Sequence, residues 1–139
     1  MAIDFHTLKL TWKPNQFLVL PPNYRAQASP HRVSPAFPIG PEQLIEAVKR
    51  VALAEPRTVL AEEDRAAHKL EFVQRSKTFR FPDLVSVEAV PLGAGRTALA
   101  IYGRAKLGIR DFGVNRARVE RWLAALQAKA GTASGAASG

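Results

Sequence analysis

The chain has 139 residues, with 20 Lys and Arg against 12 Asp and Glu for a formal charge of +8, and 47% of its side chains are hydrophobic. That is the length of one domain and the composition of a globular chain rather than a disordered one. Cysteine is absent, which excludes disulfides, thiolate nucleophiles, thiolate-bound zinc and iron–sulfur clusters.

His6, His31 and His68 are far apart and form no HxxxH or HxH pair, so neither a metal nor another cofactor is expected. The longest strongly apolar run near the N-terminus, Phe17–Leu20, is followed by two prolines and is far too short to span a bilayer. Met1–Asp4 lacks the basic-then-apolar order of a secretory signal. The expected address is therefore the cytoplasm, with room for peripheral association at the inner face of a membrane.

Positive charge is unevenly placed. Residues 1–74 carry 9 basic and 8 acidic side chains, whereas residues 75–139 carry 11 and 4. A clustered field of this kind attracts anionic partners.

Residues 1–39 hold six prolines and no sustained period, which predicts an extended arm packed on the domain, with 17–20 as a short edge strand. Gly40-Pro41-Glu42 opens a helix, since proline suits the first helical position and Glu42 complements the dipole. Leu44, Ile45, Val48, Val51 and Ala52 form its apolar stripe, and Pro56 closes it. The period then changes to two. Residues 58–62, 69–75, 84–90 and 96–107 read as strands, with Gly93-Ala94-Gly95 as the last hairpin turn. In the fourth strand Leu99, Ile101, Ala105 and Leu107 face inward, leaving Ala98, Ala100, Tyr102, Arg104 and Lys106 outward.

A second helix follows, with Asn115 as its N-cap and Val119, Trp122, Leu123 and Leu126 as its stripe. Gly131 ends it, and residues 131–139 read as a flexible tail of small residues. The expectation is α+β: helix, four-stranded antiparallel sheet, helix, both helices on one face, with the domain spanning residues 40–130.

No catalytic signature survives inspection. Gly93-x-Gly95 is a turn and not a dinucleotide loop, and there is no GxxxxGK[ST] or GxSxG. Glu62-Glu63-Asp64 reads as a solvated turn at a strand end. Basic residues instead bracket two isolated acids: Arg75 and Arg80 near Asp83, and Arg104 and Lys106 before Asp111 and Asn115. Should the second and fourth strands share a face, these cations converge on an anion site; otherwise they form cross-strand charge pairs in solvent. Arg116 and Arg118 begin the last helix, where cations oppose the dipole. They require an anion, either Asp83 or Asp111 or a bound phosphate or carboxylate.

Glu55-Pro-Arg-Thr58, Gln74-Arg-Ser76, Phe79-Arg-Phe-Pro-Asp83 and, above all, the segment from Gly108 to Glu120 (GIRDFGVNRARVE) resemble the DUF1499 family over roughly residues 15–126. The resemblance places Phe81, Asp83, Gly108, Asp111, Gly113, Asn115, Arg116 and Arg118 at the family's pattern positions, and implies no established activity. Tyr24 follows Pro22-Asn23 where the family often has cysteine, so cysteine chemistry or acylation there is excluded. Ala105-Lys106 replaces the usual Ser-Arg, which keeps the charge and loses the bidentate fork.

The function expected is a non-enzymatic binding or assembly module. Its basic surface (Arg75, Arg80, Arg104, Lys106, Arg116 and Arg118, supported by Asp83, Asp111 and Asn115) would take an anionic small molecule, a lipid headgroup or an acidic protein partner. The alternatives are an enzyme with Asp83 or Asp111 as general base, disfavoured because neighbouring cations would lower a carboxylate pKa, and a nucleic-acid-binding domain, disfavoured because only Tyr102 is placed outward to stack on a base.

Overall fold

A computed structural model describes residues 3–131; the tail expected at 131–139 lies outside the described residues except for Gly131. The order is β1 (Gln16–Leu20), β2 (Arg32–Val33), α1 (Pro41–Leu53), β3 (Thr58–Asp64), β4 (Lys69–Arg75), β5 (Pro82–Gly93), β6 (Arg96–Ala105) and α2 (Val114–Ala130). The α+β class holds, but the four-stranded antiparallel sheet is corrected to a six-stranded mixed one, ordered β2-β1-β6-β5-β4-β3.

The two added strands come from the segment read as an arm. β1 lies antiparallel to β6, with Leu18 opposite Tyr102, and β2 lies parallel to β1. The residues read as an edge strand are thus interior, flanked on both sides. Proline density hid this, because β1 needs only five residues between Asn15 and Pro21 to satisfy its ladder.

Local chemistry accounts for the other elements. The Gly40 N–H donates to Gln43 Oε1 at 3.1 Å, and Pro41 takes the first helical position, where its missing N–H costs no intrahelical bond. Ala94, flanked by Gly93 and Gly95, adopts φ 56° in the β5–β6 turn. The α2 N-cap is Gly113 rather than Asn115; its φ of 81° suits glycine, and Asn115 lies buried inside the first turn.

Both helices pack on one face of the sheet. Leu44, Val48, Trp122 and Leu123 meet Phe17, Val19, Leu70, Phe72, Val85, Val87, Leu99 and Ile101 there. The opposite face also carries a core: Phe5, Leu18, Leu20, Ala100 and Tyr102, covered by Leu8, Leu10 and Tyr24. The side of β6 expected to face solvent is therefore buried as far as Tyr102, while Leu107, expected inward, is exposed beyond the strand. No helix among the described residues is long and apolar enough to cross a membrane.

Candidate functional site

Where β4 ends, β5 begins and β6 ends, two loops meet the N-terminus of α2 and frame a cleft of about 420 Å3. The first, residues 76–81, is closed by the Ser76 N–H donating to Phe81 O at 2.9 Å and the Phe81 N–H donating to Ser76 Oγ at 3.0 Å. The second, residues 106–113, is tied to it by the Lys106 N–H donating to Pro82 O at 3.1 Å. Asn15 Nδ2 anchors its middle by donating to Gly108 O at 2.9 Å.

The floor of the cleft is one hydrogen-bonded network. Arg118 is 3% exposed, and each of its three guanidinium nitrogens is engaged: Nε donates to Gln74 Oε1 at 2.6 Å, Nη1 to Asn115 Oδ1 at 2.7 Å, and Nη2 to Asp83 Oδ2 at 2.7 Å. Gln74 Nε2 in turn donates to Glu55 Oε1 at 2.9 Å. Asp111 accepts the N–H of Gly113 at 2.9 Å, that of Asn115 at 3.1 Å and Asn115 Nδ2 at 2.9 Å, so its carboxylate caps α2. The anion demanded by Arg118 is thus supplied from β5.

Burial pushes the Asp83 carboxyl above its ordinary value despite Arg118. This reverses the expectation that neighbouring cations would lower it. Desolvation outweighs the pair because little solvent reaches the carboxylate.

The walls are of a different character. Phe79, Phe81 and Phe112 line the cleft at 71%, 52% and 91% exposure, beside exposed Leu107 and Val114. Phe79 and Phe81 stack with ring centroids 5.4 Å apart. Arg57, Arg75 and Arg110 also line it. Arg75 Nη1 donates to Arg80 O and Arg57 Nε to Arg75 O, so these two hold backbone in place, and neither is ion-paired to a carboxylate among the described residues.

The cations singled out from sequence therefore divide. Arg75 lines the cleft, Arg80 and Lys106 lie on its two loops, and Arg118 forms its floor. Arg104 faces the other side of the sheet, where it donates to Ser86 Oγ at 2.7 Å and lies 4.9 Å over the Tyr102 ring. Arg116 points away, 5.9 Å over Phe17 and 4.0 Å from Glu120. Arg75 and Arg104 do not converge: Arg75 reaches the cleft and donates to Arg80 O, whereas Arg104 is spent on Ser86 and Tyr102. Arg57 and Phe112 were not singled out; their signal lay in the two family segments, Glu55–Thr58 and Gly108–Glu120.

A depression of about 540 Å3 at the opposite end of the sheet, between α1 and the β3–β4 turn, is larger. Its Glu46 and Glu63 are neutralised by Lys49 at 2.7 and 3.0 Å, and among the described residues no buried side-chain polar atom of its lining lacks a partner. No cluster of His, Asp and Glu suited to a metal occurs among the described residues.

Fold and cleft together define a small α+β domain whose sheet holds α1 and α2 on one face and whose framing loops carry, among the described residues, cations without carboxylate partners beside exposed rings. The chain belongs to the DUF1499 family, described as a protein of unknown function, whose pattern matches residues 10–126. No curated protein matches the sequence. Among solved structures, the di-domain ARO/CYC BexL from the BE-7585A biosynthetic pathway is similar at a TM-score of 0.50 and 16% identity, over 68% of this chain and 44% of that one. This chain thus spans less than half the length of that protein, and the likeness is one of fold alone. Ara h 8.0201 aligns at a TM-score of 0.47 and 10% identity, over 69% of this chain and 92% of that one.

Proposed function

We propose that this protein is a binding module whose site is the cleft between the two loops and the start of α2, and that its ligand joins an anionic group to an apolar portion. One observation carries the reading: exposed Phe79, Phe81 and Phe112 share a single cleft with Arg57, Arg75 and Arg110. Arginine forks suit phosphate or carboxylate, and phenyl rings suit a hydrocarbon or ring system. Of the three partner classes expected, an amphiphilic small anion or lipid headgroup fits this mixture better than an acidic protein surface. Arg80 and Lys106 add field at the rim, Asp83, Asn115 and Arg118 hold the floor, and Arg104 and Arg116 have no part in it.

The test is a titration monitored by backbone amide chemical shifts, using octyl phosphate with octanol and inorganic phosphate as controls. The expected result is that octyl phosphate binds most tightly and moves amides of residues 75–83 and 105–114. Arg75→Gln with Arg110→Gln weakens it at least about tenfold. Shifts confined to another region, or equal affinity in the double variant, refute the site.

A general-base role for Asp83 has one point in its favour, the raised carboxyl pKa within the cleft. Its Oδ2 is nevertheless held by Arg118, and the other acid of the cleft, Asp111, is spent on the amides of Gly113 and Asn115, so binding is the reading retained.

A further inference from the structure

Beyond the cleft itself, the end of the molecule that bears it has the make-up of a bilayer-docking tip. Phe79, Phe81, Leu107, Ile109, Phe112 and Val114 are all at least half exposed or close to it, and they fall on two adjoining loops and the first residue of α2. A monomer rarely leaves that many large apolar side chains together in water without a partner.

Cations collar this patch. Arg57, Arg75, Lys77, Arg80, Lys106 and Arg110 are all exposed, and among the described residues none is ion-paired to a carboxylate. The two acids in the same segments are committed internally, Asp83 to Arg118 and Asp111 to the amides of Gly113 and Asn115. The tip is therefore uniformly positive around an apolar centre.

The backbone also holds the tip in an unfavourable conformation. Arg80 has φ 58° and Phe112 has φ 53°, the left-handed region that bulky residues rarely adopt. At Phe112 the result is a ring 91% exposed to water. Strain retained to present an apolar side chain outward is the pattern of a site that meets a partner.

We infer that these two loops dock the protein on an anionic bilayer, with the phenyl and aliphatic side chains entering the interface and the basic collar lying among the headgroups. The inference rests on the binding reading above, and names a membrane lipid as the amphiphilic anion. A bilayer fits better than a nucleic acid because Leu107, Ile109 and Val114 offer no plane for a base, and Phe79 and Phe81 already stack on each other. Each Lys or Arg near an anionic surface contributes about a five-fold gain in partitioning, attenuated by salt.

The test is co-sedimentation of the full chain with vesicles of phosphatidylcholine alone and of an equimolar phosphatidylcholine–phosphatidylglycerol mixture. Binding to the anionic vesicles only, weakening as salt is raised, is the expected result. Phe79→Ser with Phe112→Ser abolishes most of it, and Lys77→Gln with Lys106→Gln lowers it by about 25-fold; all four residues are exposed, so melting temperatures stay near wild type. Equal sedimentation with neutral vesicles, binding indifferent to both double variants, or tighter binding to a random single-stranded oligonucleotide at physiological salt would each overturn the docking. Failure on vesicles with octyl phosphate still bound in the cleft overturns the docking alone, and failure of both overturns the binding reading with it.

Discussion

Arg118 is the fifth residue of α2, just past the first turn rather than in it, and its burial is tolerated because each of its three guanidinium nitrogens meets an acceptor. Removing it leaves the Asp83 carboxylate half-buried without its partner, and leaves Gln74 Oε1 and Asn115 Oδ1 without their donor. Arg118→Met is expected to destabilise the protein by about 3–5 kcal/mol, measured by urea unfolding. Arg118→Lys recovers little, because an ammonium cannot span the fork. Adding Asp83→Asn to Arg118→Met restores part of the loss by removing the stranded charge. A cost below about 1 kcal/mol for the single variant would show the network to be dispensable. That an anion must compensate Arg118 was legible in the sequence from its place at the helix start. Which anion was not, since Asp83 and Asp111 are equally suited by residue type and only the β5 register brings Asp83 within 2.7 Å.

The seating of α2 on the sheet depends on a close approach at β6. A Cβ on Gly103 would lie 2.8 Å from Asn115 Oδ1 and 3.5 Å from Val119 Cγ2. Asn115 cannot swing aside, because Asp111 and Arg118 hold both ends of its amide. Gly103→Ala should therefore cost about 1–3 kcal/mol and lower the thermal midpoint; an unchanged midpoint would mean that the helix slides without loss. Among the elements, the helices and the four central and distal strands could be read from their periods, because the 3.6 and 2 spacings are local properties. The pairing of β1 with β6 spans more than eighty residues, and no local period encodes it. The same gap explains why the outer face of β6 reads as solvent-facing. Ala98, Ala100 and Tyr102 alternate as surface residues would, yet all three are buried, Ala100 and Tyr102 by Phe5, Leu18 and Leu20 from the other end of the chain.

The molecule as a whole has three layers, helices, sheet and N-terminal segment, and the second interface buries charge as well as hydrocarbon. Burial raises the Glu71 carboxyl above its ordinary 4.5, with Ser86 and Arg104 opposing, and raises Glu88 in the same way, with Lys69 opposing. A carboxyl whose folded pKa exceeds its unfolded one binds its proton more tightly when folded. Stability from Glu71 is thus fully present below pH 4.5 and is lost as pH rises through the folded value. Relative to Glu71→Gln, the wild-type protein is expected to gain stability as pH falls from neutral toward 4.5. Thermal melts of the pair across that range check this, and a constant difference between them would contradict it.

Of the charge of +8 with which the chain presents itself, sequence alone localised all but one unit to residues after 74, and sequence alone also determined the α+β class, both helices, the hairpin turn and the family. Those are properties of composition and short-range spacing. The tertiary structure decided which cations, among the described residues, remain without a carboxylate partner. Arg104 and Arg118 are consumed on opposite faces of one sheet, whereas Arg57, Arg75 and Arg110 surround a cleft with three phenyl rings. The physical reason is that neutralisation and burial are set by partners distant in the chain: strand register decides which face a side chain takes, and packing layers decide whether that face meets water.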